Sequence, residues 1–143
     1  MSKILVVDDQ KCIRDLLANI LCHDGYRVAT ALDSNSSLLS LQNFQPDLIL
    51  LDLYLDGAEG FGLLQDFKRI APDVPVIIFT AYDSYREDLR LAQAEAYVIK
   101  SHKFDELKKT IEKVLSPNPK RDSARKARYG IGAWFADGAV ETR

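Results

Sequence analysis

Apolar positions along the chain alternate between two spacings. The first is a short continuous run, seen in Lys3-Ile4-Leu5-Val6-Val7, Tyr26-Arg27-Val28-Ala29-Thr30, Asp47-Leu48-Ile49-Leu50-Leu51, Val76-Ile77-Ile78-Phe79 and Ala96-Tyr97-Val98-Ile99. Runs this short and rich in aliphatic residues predict parallel strands covered on both faces. The second is helical, with apolar residues three and four apart. Ile13, Leu16, Leu17, Ile20 and Leu21 predict a helix that Gly25 can end, and Leu38, Leu41 and Phe44 a second one, capped by Asp33 or Ser34. Phe61, Leu64, Phe67 and Ile70 predict a third, and Tyr85, Leu89 and Ala92 weakly mark a fourth. Phe104, Leu107, Ile111, Val114 and Leu115 predict a fifth. Five strand-then-helix units imply right-handed crossovers and a parallel sheet between layers of helices, an α/β three-layer sandwich.

The 143 residues are 47% apolar and 28% charged, which excludes disorder over most of the length and suits about one domain. No apolar run approaches the roughly 20 residues of a membrane span, and the N-terminus turns acidic after its first strand, unlike a signal peptide. A soluble, cytoplasmic protein without a membrane partner is expected. Cys12 and Cys22, ten residues apart on one predicted helix, would lie about 15 Å from each other, too far for a disulfide. Charge divides the chain. Residues 1–115 carry 13 Lys+Arg and 18 Asp+Glu, whereas 116–143 carry 6 and 3. Ser116-Pro117-Asn118-Pro119 marks the change, with prolines that stop a helix and stiffen a linker. We therefore expect a domain over 1–115 and a basic linker or tail over 116–143, disordered or partly docked.

Sites in open α/β sheets form at the carboxyl ends of the strands. Here the first strand runs into Asp8 and Asp9, the third into Asp52, the fourth into Thr80 and the fifth into Lys100. Carboxylates gathered on one rim repel unless a cation intervenes. A hard divalent ion that favours oxygen ligands and keeps some of its water fits, and Mg²⁺ is the natural choice. A carboxylate can attack phosphorus to give an acyl phosphate, with positioning and charge neutralisation supplying most of the catalysis. Asp52 is the expected nucleophile, Lys100 a partner for the phosphoryl oxygens, and Thr80 a hydroxyl donor to them. No glycine-rich phosphate loop is present. His23 and His102 lack paired ligand geometry.

At these residues the sequence resembles the receiver domain of bacterial two-component response regulators. The resemblance rests on the acid pair in ILVVDDQ, the acceptor in LILLDL, Gly60 eight positions after Asp52, Thr80-Ala81, and YVIK ending at Lys100. It spans residues 3–115. It implies a flavodoxin-like (βα)5 fold with strand order 2-1-3-4-5. It also implies Asp52 as phosphoacceptor, Asp8, Asp9 and Asp52 with the Tyr54 carbonyl as Mg²⁺ ligands, and Lys100 as phosphate partner. Thr80 and Tyr97 become the switch pair, acting on a surface of the fourth helix and fifth strand. The implied partners are a histidine kinase or histidine phosphotransfer protein, with an unknown downstream target or a lost output domain, and a homodimer as one further state. As a phosphoacceptor, such a module is not an enzyme beyond its own phosphorylation and dephosphorylation.

Departures from the family pattern leave a second reading open. Lys100 is followed by Ser101 where the family usually has proline, which predicts a trans peptide or a strained loop that displaces the ammonium. The stretch from Thr80 to Lys100 is short, and Glu95 stands where a glycine is common, so the fourth helix or its exit must shorten. With Lys100 or the switch displaced, the chain would be a receiver-like interaction module that binds partners without phosphorylation. An Asp-nucleophile phosphohydrolase is weaker, because Tyr54 is a poor general acid. Tyr54 and Tyr82 lie two positions beyond Asp52 and Thr80, where rings restrict hydrolytic water and predict a long-lived phosphoryl state. In the tail, the basic run 120–128 reads as a solvated linker rather than a nucleic-acid or membrane-surface binder. Ile131, Trp134 and Phe135 form a small apolar group suited to docking on the domain or to sealing a dimer.

Overall fold

The computed structural model describes residues 1–55, 59–83, 85–101 and 103–136. His102, and the side chains of Ile131, Trp134 and Phe135, fall outside what is described. Strands β1 (Lys3–Val7), β2 (Arg27–Ala31), β3 (Leu48–Leu51), β4 (Val76–Thr80) and β5 (Ala96–Ile99) form one parallel sheet in the order β2-β1-β3-β4-β5. Helices α1 (Lys11–His23), α2 (Ser34–Phe44), α3 (Glu59–Ile70) and α4 (Asp105–Val114) cover it. The five-stranded parallel sandwich expected from the spacing is present, with the strand order implied by the resemblance.

Alternation along the strands divides the core between two faces. Leu5, Val7, Ile49, Leu51, Val76 and Ile78 meet Leu41 of α2 and Leu63, Leu64 and Phe67 of α3. Ile4, Val6, Leu48, Leu50, Ile77, Phe79 and Val98 meet Leu17 and Leu21 of α1 and Leu107 and Ile111 of α4. Burying each such side chain contributes about 1.5–3 kcal/mol, and here both faces do so, which is why the strands read as unbroken apolar runs. Local chemistry sets the ends. Gly25, at φ 97°, turns the chain out of α1 while the Tyr26 amide donates back to the Leu21 carbonyl at 3.1 Å. Asp33 is the N-cap of α2. Its side chain accepts from the Ser36 amide at 2.8 Å, and the Ser36 hydroxyl oxygen accepts from the Asp33 amide at 3.3 Å.

Between β4 and β5 the described residues form no α-helix, only a 3-10 turn at Leu89–Leu91. This corrects the expected fourth helix. Leu89 is 89% exposed and Ala92 is exposed, so of the predicted stripe only Tyr85 packs on the core; Leu91 is the residue that goes in. The cause is local: the Asp88 carboxylate caps the turn by accepting from the Arg90 amide at 2.9 Å. Glu95 has a use in this shortened exit. Its carboxylate accepts from the Val76 amide at 2.8 Å and from the Lys68 ammonium at 3.0 Å, clamping the start of β4 to α3.

The tail forms helix α5 (Pro119–Ala136), with Pro119 at the first position, where its missing N–H matters least. The basic run is not wholly solvated. Arg125 pairs with Asp47 at 3.0 Å, Arg128 pairs with Asp73 and donates to the Ile70 carbonyl at 2.7 Å, and the Tyr129 hydroxyl donates to the Pro46 carbonyl at 3.1 Å. These partners precede β3 and β4, at the amino-terminal pole of the sheet. Asp73→Ala leaves Arg128 without its buried partner. Amides near Arg128 are expected to exchange faster in that variant, while those of β1 and β3 keep their protection.

Candidate functional site

Parallel register brings the strand ends to one rim, because Val7 lies opposite Leu51 and Thr80 opposite Ile99. The backbone ladder then runs one residue past each strand. The Asp8 amide donates to the Ala31 carbonyl at 3.1 Å, the Asp52 amide to Val7 at 3.0 Å and the Lys100 amide to Thr80 at 2.7 Å. The side chains of Asp8, Asp52 and Lys100 therefore leave a fixed backbone, not free loops.

Asp8, Asp9 and Asp52 each place a carboxylate oxygen within 4.8 Å of the others. Asp8 and Asp52 are buried and Asp9 is exposed, so the cluster opens to solvent on one side. The Lys100 ammonium donates to Asp8 Oδ2 at 2.6 Å and to Asp52 Oδ2 at 3.1 Å. The Gln10 amide donates to Asp8 Oδ1 at 2.9 Å, and the Tyr54 amide to Asp52 Oδ1 at 3.3 Å. Thr80 is fully buried on the same face of the sheet as Ile78, and its hydroxyl accepts from the Tyr82 amide at 3.5 Å. The Lys100–Ser101 bond is trans, since no cis peptide occurs among the described residues. The ammonium is nonetheless in place, so the displacement expected from Ser101 does not occur.

The electrostatics of this cluster suit a bound cation. Burial pushes the Asp8 carboxyl above its usual value, outweighing the Lys100 hydrogen bond and charge. Burial alone would lower Lys100, but its hydrogen bond to the Asp8 carboxylate and the charges of Asp52 and Asp8 hold it above normal. The two directions agree physically: one ammonium cannot compensate three carboxylates. A divalent cation would remove the deficit, and the all-oxygen donor set suits Mg²⁺.

A group of rings borders this rim. Tyr54 and Tyr82 pack with centroids 4.6 Å apart. The Tyr54 hydroxyl is hydrogen-bonded to that of Tyr85, which raises the Tyr54 pKa to about 12. Tyr85 also meets Phe61 edge-on at 5.4 Å, and the Arg90 guanidinium lies 3.8 Å from the Phe61 centroid. Tyr97, on the same sheet face as Thr80, donates its hydroxyl to the Tyr82 carbonyl, and the Arg86 guanidinium lies 5.1 Å from its ring. The structure thus brings together the expected Asp8, Asp9, Asp52, Thr80 and Lys100, with Tyr54 beside them and Tyr97 linked through Tyr82. The sequence reading missed Tyr85, which it assigned to a helical stripe. No local signal marks it, because its partner lies 31 positions away. Cys12 and Cys22 are free and exposed, remote in role from this rim.

Comparison with known proteins agrees. The family model described as response regulator receiver domain matches residues 4–112. The chain is 35% identical over 117 residues to sporulation initiation phosphotransferase F of Bacillus subtilis, covering 80% of this chain and 94% of that protein. It is 32% identical over 134 residues to transcriptional regulatory protein ZraR of Salmonella typhimurium, covering 90% of this chain but only 30% of that protein. Among solved structures, response regulator TrrA of Thermotoga maritima in complex with Mg²⁺ and BeF is 38% identical, with a TM-score of 0.77 over 80% of this chain and all of that one. The same regulator in complex with histidine kinase ThkA matches with a TM-score of 0.75 over 81% of this chain and all of that one.

Proposed function

This chain belongs to the response regulator receiver domain family, and we propose that Asp52 accepts a phosphoryl group from a histidine kinase or histidine phosphotransfer protein. The observation that carries this reading is the approach of Asp8, Asp9 and Asp52 within 4.8 Å, with Lys100 donating to two of them. In the transfer, an Asp52 carboxylate oxygen bonds to phosphorus as the bond to the donor imidazole nitrogen breaks. The electron pair stays on that nitrogen, which returns to the neutral ring. Lys100 is close enough to exchange part of its carboxylate bonding for a phosphoryl oxygen. Thr80 can turn its hydroxyl from the Tyr82 amide to donate to another. Mg²⁺, held by Asp8, Asp9, Asp52 and the Tyr54 carbonyl, would neutralise the charge of the phosphoryl oxygens.

Thr80 and Tyr97 form the switch pair in this proposal. Loss of the Thr80–Tyr82 contact would disturb Tyr82, whose carbonyl holds the Tyr97 hydroxyl. The responding surface is then the short connection and β5, not a fourth helix. The reading without phosphorylation needed Lys100 or the switch displaced, and the pairing of Lys100 with Asp8 and Asp52 weighs against the first of these. Residues 1–115 are proposed as the receiver and 116–143 as the basic tail, with a downstream partner or output domain receiving the signal. Among the described residues no helix is long and apolar enough to cross a membrane, and a cytoplasmic location is part of this proposal.

A metal titration tests the site. Mg²⁺ binds the folded cluster and not the unfolded chain, so it is expected to raise the melting temperature by mass action. Asp9→Ala should remove most of that shift while keeping the Lys100 pairs. A wild-type melting temperature indifferent to millimolar Mg²⁺, with no beryllofluoride uptake, would refute the proposal.

A further inference from the structure

The connection between β4 and β5 lacks an α-helix among its described residues, and its own backbone bonds close only short turns: Arg86 amide to Asp83, Asp88 to Tyr85, Leu91 to Asp88, Ala92 to Leu89 and Ala94 to Leu91. Side chains therefore fix where it lies. Arg90 sits on Phe61 of α3, Tyr97 of β5 holds the Tyr82 carbonyl, and Tyr85 is hydrogen-bonded to Tyr54, two residues after Asp52. Tyr54 in turn packs on Tyr82, two residues after Thr80. The rings of Tyr54, Tyr82, Tyr85 and Phe61 thus make one continuous cluster, and the Tyr54–Tyr85 hydroxyl bond ties the connection to the segment leaving β3.

We propose that Tyr85 is a positioning residue for the phosphoryl site: its hydroxyl tethers the Tyr54 ring beside Asp52, and the closed clasp limits hydrolysis of the acyl phosphate. This rests on the phosphoacceptor reading and adds its regulation. In hydrolysis a water oxygen bonds to phosphorus, the Asp52–phosphorus bond breaks with its electron pair left on the carboxylate, and the water protons pass to phosphate or solvent. The water must enter opposite the bond that breaks. Tyr54 and Tyr82 stand beside the two groups that face phosphorus, Asp52 and Thr80, and a ring held in place excludes a water that a swinging ring admits. Tyr85 touches neither reactant. It acts through Tyr54, and through the placement of its own connection against α3.

The test uses the full chain, labelled with acetyl phosphate and Mg²⁺ and then freed of donor, with loss of the phosphoryl group followed by intact mass. Tyr85→Phe keeps the ring and removes the tether. Loss of label is expected to be about fivefold faster, the factor that one hydrogen bond of about 1 kcal/mol makes in a rate. Tyr54→Phe should match it, and the double variant should be no faster than either, because all three lack the same bond. Tyr129→Phe deletes a tyrosine hydroxyl bond at the opposite pole and is expected to leave the rate at the wild-type value. In the metal-free protein, the Arg86 and Asp88 amides should exchange faster in Tyr85→Phe, a readout independent of phosphorylation. Equal rates in wild type and Tyr85→Phe would overturn the clasp. So would additive acceleration in the double variant, or unchanged exchange at Arg86 and Asp88. A wild type that takes no label at all is a different result, which overturns the phosphoacceptor reading itself.

Discussion

Asp52→Asn is expected to abolish covalent labelling by acetyl phosphate, leaving the intact mass unchanged under conditions that label the wild type fully. The amide nitrogen is no nucleophile toward phosphorus, and no neighbouring carboxylate occupies the same place. Asp8 spends its two oxygens on the Lys100 ammonium and the Gln10 amide, and Asp9 lies exposed on the outer side. The fold should survive, since the Asp52 amide bond to Val7 is backbone and the Lys100–Asp8 pair remains. Stability could even rise slightly, because a buried carboxylate is removed from a cluster short of positive charge. Mg²⁺ binding should weaken in parallel, through loss of one anionic ligand. Label persisting on Asp52→Asn at the wild-type level would place the acceptor elsewhere and end the assignment.

Gly60→Val is expected to cost the fold most of its stability, or all of it. A Cβ at Gly60 would meet the Asp52 carbonyl oxygen at 2.5 Å, Leu53 Cα at 2.6 Å and the Leu53 carbonyl oxygen at 2.7 Å. All three are backbone atoms of the segment leaving β3, and the Gly60 amide donates to the Leu53 carbonyl at 3.1 Å. Neither side can yield without moving Asp52 or α3. Overpacking of this kind costs about 1–3 kcal/mol when side chains can shift and more when backbone must, against a total of about 5–15 kcal/mol. Gly60→Ala should therefore already lower the urea midpoint markedly, and valine further. Gly62, two positions on, has nothing within 4 Å of its Cβ position and serves as the control. Equal midpoints for Gly60→Ala and Gly62→Ala would refute the account.

Gly60 shows how legibility divides. As a motif position it was visible in the sequence, but its reason was not. The reason is a contact between the first turn of α3 and the backbone after β3, which no residue pattern encodes. The acids were legible for the opposite reason. Asp8, Asp52 and Lys100 each follow an apolar run whose period marks it as a strand, and parallel strands bring their carboxyl ends to one edge. The failure at residues 85–92 is also instructive. Tyr85, Leu89 and Ala92 satisfy helical spacing, yet Leu91 is the residue buried, because the Asp88 cap starts a 3-10 turn that overrides the pattern. In the tail, the prolines read as a stop and the arginines as solvated charge. Pro119 instead begins a helix, and Arg125 and Arg128 find carboxylates at positions 47 and 73.

What the sequence settled alone is the layered α/β sheet and the row of acidic, hydroxyl and ammonium groups at its carboxyl edge. Both follow from local periodicity, because burial on two faces dictates the run and the run dictates where it ends. Tertiary structure decided what depends on residues far apart in the chain. It kept Lys100 between Asp8 and Asp52 despite Ser101, joined Tyr85 to Tyr54 and docked α5 on Asp47 and Asp73. Each of these is a pairing between groups separated by tens of residues, and their energies come from complementary charge and shape that appear only once the chain has closed on itself.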